Sequence, residues 1–149
     1  MIRQTLVVCE GNVCRSPAAE VLLRHAVPGL LVASAGLAAP EGRAAHPSMQ
    51  ALCSGLGLSL AQHRSRQLTP LWVREAELIL VMQGAHQQQI LQAHPGARGR
   101  VHRLLPATDI PDPLGQTEAY FQQVFAQLQR GVSHWRALLQ AVGQAPARP

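Results

Sequence analysis

Leu6-Val7-Val8-Cys9-Glu10-Gly11-Asn12-Val13-Cys14-Arg15-Ser16-Pro17 decides the reading of the chain. A valine-rich apolar run ends in a cysteine. Five residues then separate Cys9 from Arg15, and a serine and a proline of the kind that opens a helix follow. The pattern is strand, loop, helix, with Ser16 as a candidate N-cap. A loop of this length can turn its N–H groups on one point at the positive end of the helix, a concavity suited to a tetrahedral dianion. Gly11 and Asn12 are the residue types that tolerate the positive φ such a turn needs. The sulfur would lie beneath the anion, and the guanidinium fork would span two of its oxygens.

Composition bounds the rest. With 149 residues, the chain has the size of one domain, and 47% of its residues are hydrophobic. Aromatics are only 3%, so the core must come from Leu, Val, Ile and Ala. No segment is long and apolar enough to span a bilayer, and residues 1–9 lack the arrangement of a secretory signal, so a cytoplasmic protein without membrane insertion is expected. The formal charge of +5 reads either as ordinary solubility charge or as attraction to an acidic or phosphorylated partner. Scattered arginines without interleaved aromatics argue against nucleic acid. Three cysteines, Cys9, Cys14 and Cys53, make neither a disulfide framework nor a zinc pattern. No nucleotide-binding glycine loop occurs, and no metal or organic cofactor is implied. Nothing in the sequence sets the oligomeric state.

Strands are expected at 5–9, 30–35, 77–82 and 101–105. Helices are expected at 16–26, 48–54, 84–93 and 117–142, with a short one from Pro70 through Glu75. The last helix carries Tyr120, Phe121, Val124, Phe125, Leu128, Val132, Trp135, Leu139 and Val142 near one face. Residues 143–149 hold no core positions and read as a disordered tail. Alternation of this kind implies a three-layer α/β/α fold around a four-stranded parallel sheet. Sites in such sheets lie beyond the carboxyl ends of the strands, where Cys9 sits.

The chemistry expected of the loop is nucleophilic attack on phosphorus by a Cys9 thiolate. The loop amides, the helix N-terminus, Arg15 and the Ser16 hydroxyl all favour that anion. Arg15 would stabilise the charge of the transition state. The Glu10 carboxylate would disfavour the thiolate if it faced inward, so it is expected to point to solvent and contribute only its backbone. An acid must protonate the leaving oxygen. Asp112, between Pro111 and Pro113, is the candidate, and Asp109, without rigid flanks, is its competitor. Taken singly, Asp112 would read as a solvated loop aspartate, His63 as a loop histidine and Cys53 as core.

With Cys9 to Pro17 and Asp112-Pro113 in place, the chain resembles the low-molecular-weight protein tyrosine phosphatases, in the bacterial branch associated with exopolysaccharide tyrosine kinases. Val32-Ala33-Ser34-Ala35-Gly36, His63-Arg64-Ser65-Arg66-Gln67, residues 76–82 and the final helix extend the likeness. The resemblance implies Cys9 as nucleophile, Arg15 as phosphate ligand and Asp112 as general acid, with Glu10, Gly11, Asn12, Val13, Cys14 and Arg15 forming the phosphate loop. It further implies that Asn12, Ser16 and Ser34 brace the loop and that Glu20 and His63 form a supporting pair. Cys14 would be either a partner for a reversible disulfide with Cys9 or a small residue packed under the loop. The implied partner is a tyrosine-phosphorylated protein, such as the tail of a polysaccharide-synthesis kinase.

Two departures stand out. Leu114 occupies the position after Asp-Pro where many relatives carry tyrosine, and residues 37–47 hold no aromatic, so Leu37 and Leu114 are expected to wall the pocket. Arsenate reduction on the same fold would need cysteines after the third strand, and none follows Cys53. Arginine phosphatases of similar pattern carry threonine where this chain has Val13. A phosphate-binding module without catalysis would need neither Cys9 nor Asp112.

Overall fold

Four parallel strands pair in the order β2-β1-β3-β4: β1 (Gln4–Cys9), β2 (Leu31–Gly36), β3 (Leu78–Val81) and β4 (Val101–Arg103). The computed structural model describes residues 2–143, with side chains through residue 140. The expected tail at 143–149 therefore lies almost wholly outside the described residues. The helices are α1 (Arg15–Ala26), α2 (Pro47–Ser54), α3 (Pro70–Glu75), α4 (Gly84–Ala93) and α5 (Glu118–Gly143), with a 3-10 turn at Pro95–Ala97.

Side-chain alternation along β1 builds both layers. Val7 and Cys9 join Leu22, Leu23, Phe121 and Leu128 in the core under α1 and α5, whereas Leu6 and Val8 join Val73, Ile79 and Ile90 under α3 and α4. β1 is buried on both faces, as a central parallel strand must be. On α5, Phe121, Val124, Phe125, Leu128, Val132 and Leu139 are buried. The Val142 side chain lies outside the described residues.

The chain leaves β1 toward β2 on one side and later returns to β3 on the other. The crevice between the carboxyl ends of β1 and β3 is therefore the topological switch point, where ligands bind in such sheets.

Element ends differ from expectation for local reasons. β3 is shorter than 77–82 because the Glu77 carboxylate turns back to accept the Arg3 and Gln4 N–H groups at 2.8 and 3.0 Å. β4 stops at Arg103 rather than 105 as the chain turns toward Pro106, although the Leu104 N–H still reaches Val81 O at 2.7 Å. α2 begins one residue early because Pro47 takes the first helical position and the His46 ring accepts the Ser48 N–H. Ser16 is not the cap of α1. The N-cap position is Cys14, which caps with no side chain, and Ser16 lies buried in the first turn. The first amides of α1 are thus left uncapped by side chains at the point where the loop would hold an anion.

Candidate active site

Cys9 ends β1 beside Gly36 of β2. A side chain at Gly36 would not fit, since its Cβ would lie 2.7 Å from Glu10 O and 2.8 Å from the Ala39 Cβ. This close approach packs the start of the loop against the end of β2, where Glu10 O accepts the Ala38 N–H at 2.9 Å.

Asn12 organises the loop from within. It is fully buried and adopts φ +56°, the only positive φ outside glycine among the described residues. Each of its polar groups is used. Its N–H points at Cys9 Sγ (3.3 Å), and its carbonyl accepts from His63 Nε2 (2.7 Å). Its Oδ1 accepts the Arg66 N–H (3.0 Å), and its Nδ2 donates to Ser16 Oγ (2.8 Å) and Ser34 Oγ (3.0 Å). Because Ser16 Oγ accepts from Asn12, its own proton is free for Cys9 Sγ, 3.0 Å away. Ser34 Oγ likewise donates its hydrogen bond to Glu20 Oε1 at 2.5 Å.

Glu20 and His63 do not pair with each other. Glu20 binds Ser34 and Arg24, His63 binds the Asn12 carbonyl, and the two reach Asn12 by separate routes. The reason is geometric: His63 meets Asn12 directly, whereas Glu20 reaches it only through Ser34.

Arg15 is only 2% exposed. Its Nη1 donates to Ile110 O (2.8 Å) and Gln83 Oε1 (3.1 Å), and its Nη2 lies 3.8 Å from Asp112 Oδ2. Two carbonyl-type acceptors orient the fork without neutralising it, so the cationic charge stays available to an anion. Asp112 is 46% exposed, and its Oδ1 accepts the Leu114 N–H at 3.0 Å in an Asx turn. Asp109 is engaged elsewhere: Oδ1 accepts the Gly84 N–H at the start of α4 (2.9 Å) and meets Arg103 (3.1 Å). The Gly84 bond, with Arg103 behind it, holds the Asp109 carboxyl below its ordinary range.

Cys9, Arg15, Asp112 and Leu114 line one cleft of about 630 Å³, closed opposite by Ala38, Pro40 and residues 43–47. Leu37 is not on this wall. The backbone bridge from Gly36 to Gln67 sends the Leu37 side chain to the core under α3 and α4 instead. Leu114 does line the cleft and is 56% exposed. Cys14 is buried and free, as is Cys53. Burial, reinforced by the charges of Asp112 and Cys9, pushes the Cys14 thiol up to about 12, so it stays protonated at neutral pH.

The sequence reading missed the residues after β3. Gln83 orients Arg15. His86, 4% exposed, places Nε2 3.7 Å from Glu10 Oε2, and its Nδ1 has no partner among the described residues. Burial and the nearby Arg15 hold His86 down to about 4, against the opposing pull of Asp109 and Asp112. The available signal was topological: Gln83 follows the strand that borders the switch point.

A cysteine sulfur met by a loop N–H, a buried guanidinium and an exposed carboxyl on one cleft are the groups that a cysteine-dependent phosphatase needs. Residues 4–145 match the family described as low molecular weight phosphotyrosine protein phosphatase, and the chain belongs to it. A probable low molecular weight protein-tyrosine-phosphatase, EpsP, of Ralstonia nicotianae is 43% identical over 145 residues, covering 96% of this chain and all of that protein. The crystal structure of the tyrosine phosphatase Wzb from Escherichia coli K30 in complex with sulphate superposes with TM-score 0.89 at 34% identity, covering 93% of this chain and 99% of that one. The YwlE arginine phosphatase from Geobacillus stearothermophilus also reaches TM-score 0.89, at 30% identity, covering 98% and 99%. No helix among the described residues is long and apolar enough to cross a membrane.

Proposed function

We propose that Cys9 attacks the phosphorus of a protein phosphotyrosine. The sulfur–phosphorus bond forms as the bond from phosphorus to the phenolic oxygen breaks, and Asp112 gives that oxygen its proton. Arg15 and the loop amides hold the equatorial oxygens. In the second half, the Asp112 carboxylate takes a proton from water, which displaces the sulfur and releases inorganic phosphate. Asn12, Ser16, Ser34, Glu20 and His63 hold the loop in shape.

One observation carries this reading. Cys9 Sγ, met by the Asn12 N–H and the Ser16 hydroxyl, opens into the same cleft as Arg15 and Asp112. Asp109 is the weaker candidate for the acid because its carboxylate is occupied by Gly84 and Arg103.

The phosphotyrosine reading is favoured over phosphoarginine by the names of the sequence relatives and by the aliphatic Val13. The physiological substrate we propose is a tyrosine autokinase of polysaccharide synthesis, on the likeness to that bacterial branch. The 149 residues would act as one phosphatase domain, which the match over 4–145 supports. We place it in the cytoplasm, since three free cysteines suit a reducing compartment.

The test is turnover on matched phosphotyrosine, phosphoserine and phosphoarginine peptides without added metal. Phosphotyrosine should be hydrolysed fastest, vanadate should inhibit, and Cys9→Ser should abolish turnover. Activity retained in that variant would remove Cys9 as nucleophile, and preference for phosphoarginine would overturn the substrate assignment.

A further inference from the structure

Glu10 is the residue that the chemistry leaves unexplained. It follows the nucleophile directly, and a carboxylate there opposes both the thiolate and an incoming phosphate dianion. Its backbone cannot swing away, because its carbonyl is bonded to the Ala38 N–H and Gly36 packs against it. Only the side chain can move. It is half exposed and lines the cleft.

His86 is the second unexplained residue. A buried imidazole with an orphaned nitrogen is a costly choice for a position that an apolar side chain would fill, so its presence calls for a reason. Its one polar neighbour within ion-pair distance is Glu10, at 3.7 Å, an electrostatic contact longer than a hydrogen bond. The nearby carboxylate favours the tautomer with the proton on Nε2, which faces Glu10. Arg15, Asp109 and Asp112 are the other charged groups that act on the ring, which is neutral at physiological pH and serves as a donor rather than a cation. The N-cap residue and first turn of α4 thus touch the loop at two points, with Gln83 on Arg15 and His86 on Glu10.

We propose that His86 is a positioning residue that draws the Glu10 carboxylate aside from the path of the substrate dianion. Filling the cup adds negative charge next to Glu10 and strengthens its preference for the His86 side. The effect falls on binding rather than on the chemical step, because neither residue supplies a proton or a bond to the reacting atoms. This inference rests on the reading of the cup as a phosphate site.

The experiment is a double-mutant cycle with steady-state kinetics on an aryl phosphate and inhibition by sulphate, an anion that does not titrate near neutral pH. His86→Leu should raise KM and the sulphate inhibition constant about two- to fivefold, the range of a single partly exposed charge contact, while kcat stays within a factor of about two. His86→Gln, which retains an N–H donor, should stay closer to wild type. Glu10→Gln in the His86→Leu background should restore the wild-type KM. Glu10→Gln alone should lower KM by less than about twofold, because the charge is already held aside.

Equal gains from Glu10→Gln with and without His86 would overturn the proposal, as would an unchanged KM in His86→Leu. Should His86→Leu fail to fold, the His86→Gln and Glu10→Gln pair still decides: a large fall in KM in Glu10→Gln alone contradicts the proposal. Loss of all turnover in Cys9→Ser tests the phosphatase reading separately. An enzyme that needs Cys9 but shows no Glu10–His86 coupling would remove only this inference.

Discussion

The loop from Cys9 to Ser16 and the loop that carries Asp112 face each other across one cleft but are built in opposite ways. In the first, Asn12, Arg15 and Ser16 are at most 2% exposed, and polar groups of five residues outside the loop, Ser34, His63, Arg66, Gln83 and Ile110, converge on Asn12 and Arg15. In the second, the chain is pinned at Ile110, which is buried and bonded to Met82 and Arg15. Beyond that pin, Asp112 is held by two prolines and one Asx turn and is 46% exposed. Charge recognition gains from donors fixed before the substrate arrives, since no reorganisation is then needed in the transition state. A proton donor has a different task, because it must approach a leaving oxygen whose position depends on the substrate.

The contrast separates activity from stability. Asp112→Asn should lower kcat on phosphotyrosine by about 10²–10⁴-fold, the usual worth of a general acid, with little change in melting temperature. If Asp109→Asn did this instead, the proton donor would be misassigned. Asn12→Ala should damage both properties. It orphans the buried Arg66 N–H, removes a donor from the two buried serines Ser16 and Ser34, and places a residue without a local acceptor at positive φ, for a loss of roughly 2–4 kcal/mol in denaturant unfolding. A well-folded Asn12→Ala with normal turnover would show that the loop keeps its shape without that hub.

Smaller effects sharpen the comparison on the open side. Leu114→Tyr adds a ring beside the cleft and should lower KM for aryl phosphates about two- to tenfold while leaving KM for alkyl phosphates unchanged. An equal gain on both would mean that the tyrosine acts other than by stacking.

The smallest effect is a pH slope. His86 titrates at about 4 in the fold, below its ordinary 6.5, so between those values the unfolded chain binds more protons than the native one. Its contribution is fully present above about pH 6.5 and is lost as pH falls toward 4. Urea unfolding across that window should show the decline, and His86→Gln should flatten it. An unaltered slope would assign it to other groups.

What could be read in the sequence was what is local. Cys9, Arg15 and the strand–loop–helix around them lie within one short stretch, and the prolines beside Asp112 mark its loop as rigid without any knowledge of the fold. Gln83, His86 and the Ile110 carbonyl went unread because each meets the loop from at least 68 residues away, through strand order alone. Leu37 was misplaced because the Gly36–Gln67 bridge, a tertiary contact, decides which way the next side chain turns. The Glu20–His63 pair dissolved for a related reason, since both residues serve a third, His63 directly and Glu20 through Ser34.

The central claim is that the sulfur of Cys9 carries the phosphoryl group between two half-reactions. Asp112→Asn should retain the first half with an activated aryl phosphate and stall the second, which needs a base. Rapid quenching followed by peptide mass spectrometry should then find the mass of one phosphoryl group on the peptide that holds Cys9. A phosphoryl group on any other residue, or turnover with none trapped at any time, would contradict it.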